Sequence, residues 1–216
     1  MKKNLSMWLL ALAMLMLASC GGGSNGYSGV FGELFNAKYE IIDNDKISEF
    51  YDNYNSKLAK TPIPIEVDKN VPLETAGINR VEDMSFYASA KTTRGGVYSG
   101  YTSWAEPKND DESYEFDLHF AVLLCDKDGN PIYSVPLAIY GLQRSTLRQR
   151  IVNPIGTEVE LNFGIDYSQF YVQKLSVVER IRIVDANENG DLIKQLSQTL
   201  KEEKNAFDEQ QAQTTK

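Results

Sequence analysis

The sequence predicts a mainly β protein: an antiparallel β-sandwich of about seven strands, with a short helix before it and a polar helix after it. Three observations predict it. Apolar and polar residues alternate in several short segments, such as Met84, Phe86, Ala88 and Ala90 against Ser85, Tyr87 and Ser89. Clusters of Gly, Asn, Asp and Pro separate those segments. None is followed by the long 3.6-period stretch that a parallel sheet needs for its crossover helices. With 216 residues, 42% of them hydrophobic, the chain can bury a core but is short for more than one or two domains.

The chain opens on Lys2 and Lys3, runs through the apolar stretch MWLLALAMLMLA from Met7 to Ala18, and reaches Leu17-Ala18-Ser19-Cys20. A charged start, about a dozen apolar residues and small residues before a cut describe a secretory signal over 1–19, too short to span a bilayer comfortably. Leu-Ala-Ser-Cys in that position resembles the lipobox of bacterial lipoproteins. The resemblance implies that Cys20 becomes the first residue of the mature protein and carries a covalent lipid, its membrane anchor. Two or three acyl chains make such an attachment effectively permanent, where one would be marginal.

Residues 20–36 then read as the lipidated cysteine and a flexible tether, because Gly21 to Gly29 (GGGSNGYSG) has almost nothing to bury. Gly21 in place of aspartate resembles lipoproteins sorted to the outer membrane. Gly-rich tethers of this kind are similar to those of Bacteroidetes-type lipoproteins. The acidic surface-export cluster of that group is absent after Cys20, which favours the periplasmic face over the cell surface.

Residues 37–60 contain a helical segment: Ile47, Phe50, Tyr51, Tyr54 and Leu58 fall on one face, with Asn44 or Asp45 as its cap. Pro62 and Pro64 end it. The β-sandwich is expected over 61–190. Ile63, Ile65 and Val67 alternate; Val97 to Ala105 carries Tyr98 and Trp104 on one face and Tyr101 on the other; Phe116, Leu118, Phe120, Val122 and Leu124 form a long apolar face. Ile132 to Leu142 is apolar on both faces, Val159, Leu161, Phe163 and Ile165 alternate again, and Val177 to Val184 closes the series. From Asp191 to Lys216 the period returns to helical, with Ile193, Leu196 and Leu200 on one face before a polar run that reads as a helix fraying into disorder.

The sharpest turn signal is Asp126-Lys127-Asp128-Gly129-Asn130-Pro131 between two strong strands, where the Asp-Gly-Asn run supplies the positive φ a tight hairpin needs. The stretch FAVLLCDKDGNPIYSVPL resembles the central hairpin of bacterial Ig-like domains with a Leu-Tyr-Asp signature, with Cys125 where the tyrosine stands. Gly156-Thr157-Glu158-Val159-Glu160-Leu161-Asn162-Phe163 is similar to the Gly turn and alternating strand that follow in that family. The resemblance covers Phe116 to Asp185. It implies an Ig-like sandwich and a binding or scaffolding module, since such domains are mostly non-catalytic.

Composition narrows the chemistry further. The chain holds one histidine and two cysteines, too few for a His/Cys metal cluster or a disulfide framework. His119 and Cys125 lie about 20 Å apart along one strand, too far for a nucleophile and its base. Without residues 1–19 the formal charge moves from −8 to −10, which argues against a nucleic-acid or anionic-lipid surface as the partner. Asp126-to-Asn130 and Asp185-to-Gly190 place oxygens as calcium loops do. Yet Gly129 is at the fourth position of the first, and Leu196 stands where the second needs a bidentate glutamate, so both read as turns. Neither a metal nor a cofactor is expected beyond the lipid on Cys20.

Two clusters remain as candidate binding residues. Tyr98, Tyr101 and Trp104 form an aromatic stretch suited to stacking on sugars or anchoring a protein interface. Arg144, Arg148 and Arg150 form the one basic cluster, suited to bidentate contact with carboxylate or sulfate. The expected function is a non-catalytic lipoprotein of the cell envelope, binding a protein partner or serving in assembly, with the membrane engaged through its lipid. The alternative is a glycan-binding lipoprotein using the aromatic strand. A carboxylate hydrolase built from Glu106, Asp110, Asp111, Glu112 and Glu115 ranks third, because acids crowded in a polar loop have no apolar pocket to raise one of them.

Overall fold

The computed structural model describes residues 26–40, 43–97, 120–144, 149 and 151–214. In chain order they form helices α1 (Gly32–Glu40) and α2 (Asn44–Leu58), then strands β1 (Glu66–Val67), β2 (Leu73–Thr75), β3 (Arg80–Glu82), β4 (Ser85–Thr92) and β5 (Gly96–Val97). There follow β6 (Phe120–Cys125), β7 (Pro131–Pro136), β8 (Ala138–Tyr140), β9 (Val152–Asn153), β10 (Glu158–Gly164), helix α3 (Gln169–Leu175), β11 (Arg180–Asp185) and helix α4 (Gly190–Thr214). The protein is mainly β, with two sheets. The first has the order β1-β11-β6-β7, the second β2-β4-β10-β8 with β3 also on β4, and β5 pairs β9 in a separate ribbon. All pairs are antiparallel except β1 with β11.

The alternation that predicts β4 and β10 is the alternation that fills the core. Phe86 and Phe163 sit opposite each other in register, and their rings stack with centroids 5.2 Å apart. Phe120, Val122, Leu124, Ile181 and Ile183 of the first sheet join Phe86, Ala88, Leu161 and Phe163 of the second in one buried cluster. Each fully buried side chain of this size contributes about 1.5–3 kcal/mol. The apolar run Ile132 to Leu142 has two apolar faces because the chain changes sheets within it: β7 pairs β6, β8 pairs β10, and Leu137 at the crossing is fully buried.

Four expectations are corrected. The tether does not extend to residue 36: Phe31, Leu34 and Phe35 are fully buried, Phe31 packs 4.8 Å from Phe86, and α1 begins at Gly32. The glycines before it masked an i, i+3, i+4 apolar set. Asp43, not Asn44 or Asp45, caps α2 by accepting the Asp45 N–H at 3.0 Å. Residues 61–190 are not β throughout, for α3 buries Phe170, Val172 and Leu175, while Ile63 makes only a single bridge to Ile78.

The fourth correction concerns the tail. Helix α4 is continuous to Thr214. Ile193 covers Ala121, Leu123, Cys125 and Val184 on the outer side of the first sheet. Farther along, Phe207 packs 5.7 Å from Phe170 and Lys174 pairs with Glu203 at 2.5 Å. Both faces of β6 are therefore buried, which is why FAVLLC reads as an unbroken apolar run. No helix among the described residues is long and apolar enough to cross a membrane.

Candidate functional site

Where the second sheet meets the β5–β9 ribbon, three large apolar side chains are exposed. Beneath them lies a polar knot. Thr92, buried at the end of β4, accepts the Gly156 N–H on its carbonyl at 2.8 Å, and its hydroxyl meets Pro154 O at 3.0 Å and Thr157 N at 3.1 Å. Asn153, also buried, accepts the Gln143 N–H at 2.8 Å and donates to Gln143 O at 3.0 Å. These bonds satisfy the backbone of the turn and fix it. Around them Tyr140 is 55% exposed, Val152 62% and Ile155 71%.

Tyr140 closes β8 opposite Glu160, and beside it a shallow depression of ≈ 760 Å³ is lined by Glu74, Thr75, Lys91, Glu158 and Glu160. Lys91 lies 3.8 Å from Glu158. Arg80 joins Glu160 at 3.0 Å and Glu82 at 2.9 Å, and its guanidinium sits 3.6 Å over the Tyr87 ring. Tyr87 thus belongs to the outer face of this sheet. The rim is acidic, and its arginine is already held by two carboxylates.

A second groove, of ≈ 660 Å³, is lined by Glu66, Asp68, Asn70, Arg180, Arg182 and Glu188 among others. Its charges close on one another: Arg180 with Glu66 at 2.7 Å, Arg182 with Asp68 at 2.9 Å, and Asn70 with Glu188 at 2.9 Å. The Asp68 carboxylate keeps the Arg182 guanidinium above its ordinary pKa. This ladder ties edge strand β1 to β11 and serves the sheet.

Of the candidate binding residues, Arg144 is described and exposed. Cys20, Tyr98, Tyr101, Trp104, Arg148 and Arg150 lie outside the described residues, as do His119 and the acids from Glu106 to Glu115. Val97 pairs with Val152 and Gly96 with Asn153, so the last described residue before Tyr98 lies opposite a residue two positions after Arg150.

Both Asp- and Asn-rich segments form turns held by their first aspartate. Asp126 accepts the backbone N–H groups of Asp128 and Asn130 at 2.9 Å each and the Asn130 side chain at 3.0 Å. Those bonds hold its carboxyl below the usual range, and Gly129 supplies the single positive φ, +84°. Asp185 likewise accepts Asn187 N at 2.8 Å and Glu188 N at 3.2 Å. Among the described residues no group of three or more His, Cys, Asp or Glu is placed to hold a metal ion. Cys125 is fully buried, and burial pushes its thiol up.

Sequence reasoning missed Tyr140, Val152 and Ile155. A signal was there: Ile155 stands between Pro154 and Gly156, a turn position where no strand or helix period calls for an isoleucine. No protein-family model, no curated protein and no solved structure matches the chain. The class rests on the fold itself: a mainly β, two-sheet protein with one sheet covered by a helix and an exposed apolar corner beside the other.

Proposed function

We propose that this chain is a lipid-anchored, non-catalytic protein of the cell envelope. On this reading Cys20 holds it to the periplasmic face of the outer membrane, the two sheets form an Ig-like β-sandwich, and the apolar corner where the second sheet meets the β5–β9 ribbon docks a protein partner. The observation that carries the docking is the placement of Tyr140, Val152 and Ile155. Apolar side chains scattered singly over a surface need no explanation. Three of the four large exposed ones among the described residues lie on segments tied together by buried polar bonds: Tyr140 at the end of β8, Val152 in the β5–β9 ribbon and Ile155 in the turn that follows. Their burial at an interface would contribute on the order of a few kcal/mol, and a rigid turn loses little entropy on docking.

The test is a photo-crosslinking residue at position 155 in the native envelope. A discrete adduct is expected, lost in Val152→Asp and absent when the crosslinker is placed at exposed Glu202. Equal labelling from both positions counts against the proposal.

The pairing of Val97 with Val152 also favours a second reading, in which Tyr98, Tyr101 and Trp104 with Arg144, Arg148 and Arg150 hold a glycan. It predicts glycan-array binding by the wild type that Trp104→Ala abolishes. Absent binding in both removes it.

A further inference from the structure

We infer that the loop Ser176–Val178 is the face this protein lays against the bilayer, with Val177 entering the headgroup region of a zwitterionic lipid surface. The inference rests on the lipid anchor at Cys20 and adds which end of the fold meets the membrane.

Tyr27 is clamped to Asn36, its N–H donating to Oδ1 at 2.6 Å and its carbonyl accepting from Nδ2 at 3.0 Å. The Ser28 hydroxyl then donates to Ser176 O at 3.3 Å, and Val30 N–H to Val178 O at 2.8 Å. The chain therefore lands on both sides of Val177. Six residue steps separate Cys20 from Gly26, and at about 3.3–3.6 Å per residue they reach at most about 22 Å. A fold of this length has a radius of gyration of about 16 Å, so the tether is shorter than the fold is wide. The landing point cannot swing to the far side.

The loop itself is fixed. Val178 is fully buried and its N–H donates to Leu175 O at 3.1 Å, while Glu179 N–H donates to Cys125 O at 2.9 Å. Between those anchors Val177 is 50% exposed, and what sets it apart from a singly exposed apolar residue is its place on a fixed turn between the two contacts of the incoming chain. Glu179 and the adjoining Asp126 and Asp128 outweigh Lys127 and Arg180 in charge, which selects a zwitterionic rather than an anionic lipid. Tyr140 lies at the other end of the β7–β8 run, which starts at the turn beside this loop.

The experiment uses the lipidated mature protein in vesicles of phosphatidylcholine and phosphatidylethanolamine. Val177→Cys and Tyr140→Cys are each labelled with bimane. Cys125 is buried and the Cys20 sulphur carries lipid, so the introduced thiol alone reacts. Brominated acyl chains are expected to quench the label at 177 by about twofold, as for a group about 5–10 Å into the interface, and to leave the label at 140 unchanged. Equal emission at 177 with and without bromine, on protein that floats with the vesicles, overturns the orientation while leaving the anchor standing. Protein that does not float with vesicles overturns the anchor and this inference with it.

Discussion

The side chain of Asn55 closes on both backbone groups of Val81: the Val81 N–H donates to Oδ1 at 2.8 Å, and Nδ2 donates to the Val81 carbonyl at 3.0 Å. An amide on α2 thereby completes the free edge of β3 as a neighbouring strand would. Asn36 does the same for Tyr27 and Asn153 for Gln143. Val81 is fully buried, so no water can replace the amide. Asn55→Ala is expected to cost about 2–3 kcal/mol, read as a lower urea midpoint with unchanged slope. Asn53→Ala, exposed on the same helix, is expected to stay within about 0.5 kcal/mol.

The hairpin joining β3 to β4 turns on Asp83 and Met84, with φ of +38° and +67° and no glycine. Asp83 tolerates that conformation and pairs with Lys38; a β-branched residue does not tolerate it. Asp83→Val is expected to lose about 1–2 kcal/mol, and Asp83→Asn about 0.5 kcal/mol or less. Thermal melts of the two variants against wild type make the comparison.

Gly77 has φ +128°, and a Cβ there would stand 2.0 Å from Ile63 O, in the bridge between Ile63 and Ile78. Gly77→Ala is expected to unfold the protein or to lose about 3 kcal/mol or more. Gly164→Ala, with nothing within 4 Å of its added carbon, is expected to be neutral or mildly stabilising. Soluble yield and urea titration separate the two.

Burial pushes the phenols of Tyr51, Tyr54 and Tyr133 up to about 12, with Asp83 and Glu33 adding to the shift at Tyr51 and Tyr54. Unfolded, they titrate near 10. The folded state thus holds protons that the unfolded state releases. This contribution to stability is complete below pH 10 and is lost as pH rises through about 12. The three tyrosines are expected to ionise together with unfolding, as followed by tyrosinate absorbance and circular dichroism. Tyr51→Phe, which removes a buried hydroxyl without a partner, is expected to leave neutral-pH stability unchanged or higher.

Helix α4 divides at Phe207. Ending the chain after Asn189 uncovers Ala121, Leu123 and Cys125 and is expected to give aggregated protein. Ending it after Glu209 removes, among the described residues, only the exposed 210–214 and is expected to change the melting temperature little, as sedimentation and melting will report.

The strands were legible where one face meets the core and the other meets water, as in β4 and β10, because burial imposes the period of two. Legibility failed where a second layer intervened. Cys125 gives no sign in sequence that a helix lies over it, and QFYVQKL reads as strand as easily as helix although Phe170 finds its cover in Phe207. Phe31, Leu34 and Phe35 were hidden by the glycines around them, whose composition spoke for a tether. At the candidate site, the sequence offered aromatic and arginine clusters as separate features, and only the Val97–Val152 pairing relates their attachment points. The exposed corner left only one trace in the sequence, Ile155 between Pro154 and Gly156, because exposure is a property of three short segments together.

The proposed anchor at Cys20 underlies both the proposed function and the membrane orientation, and the mass of the mature amino terminus tests it most directly. Detergent-extracted protein, digested and analysed by mass spectrometry, is predicted to begin at Cys20 and to carry diacylglycerol on its sulphur. An amino terminus at any other residue, or an unmodified Cys20, would contradict the account.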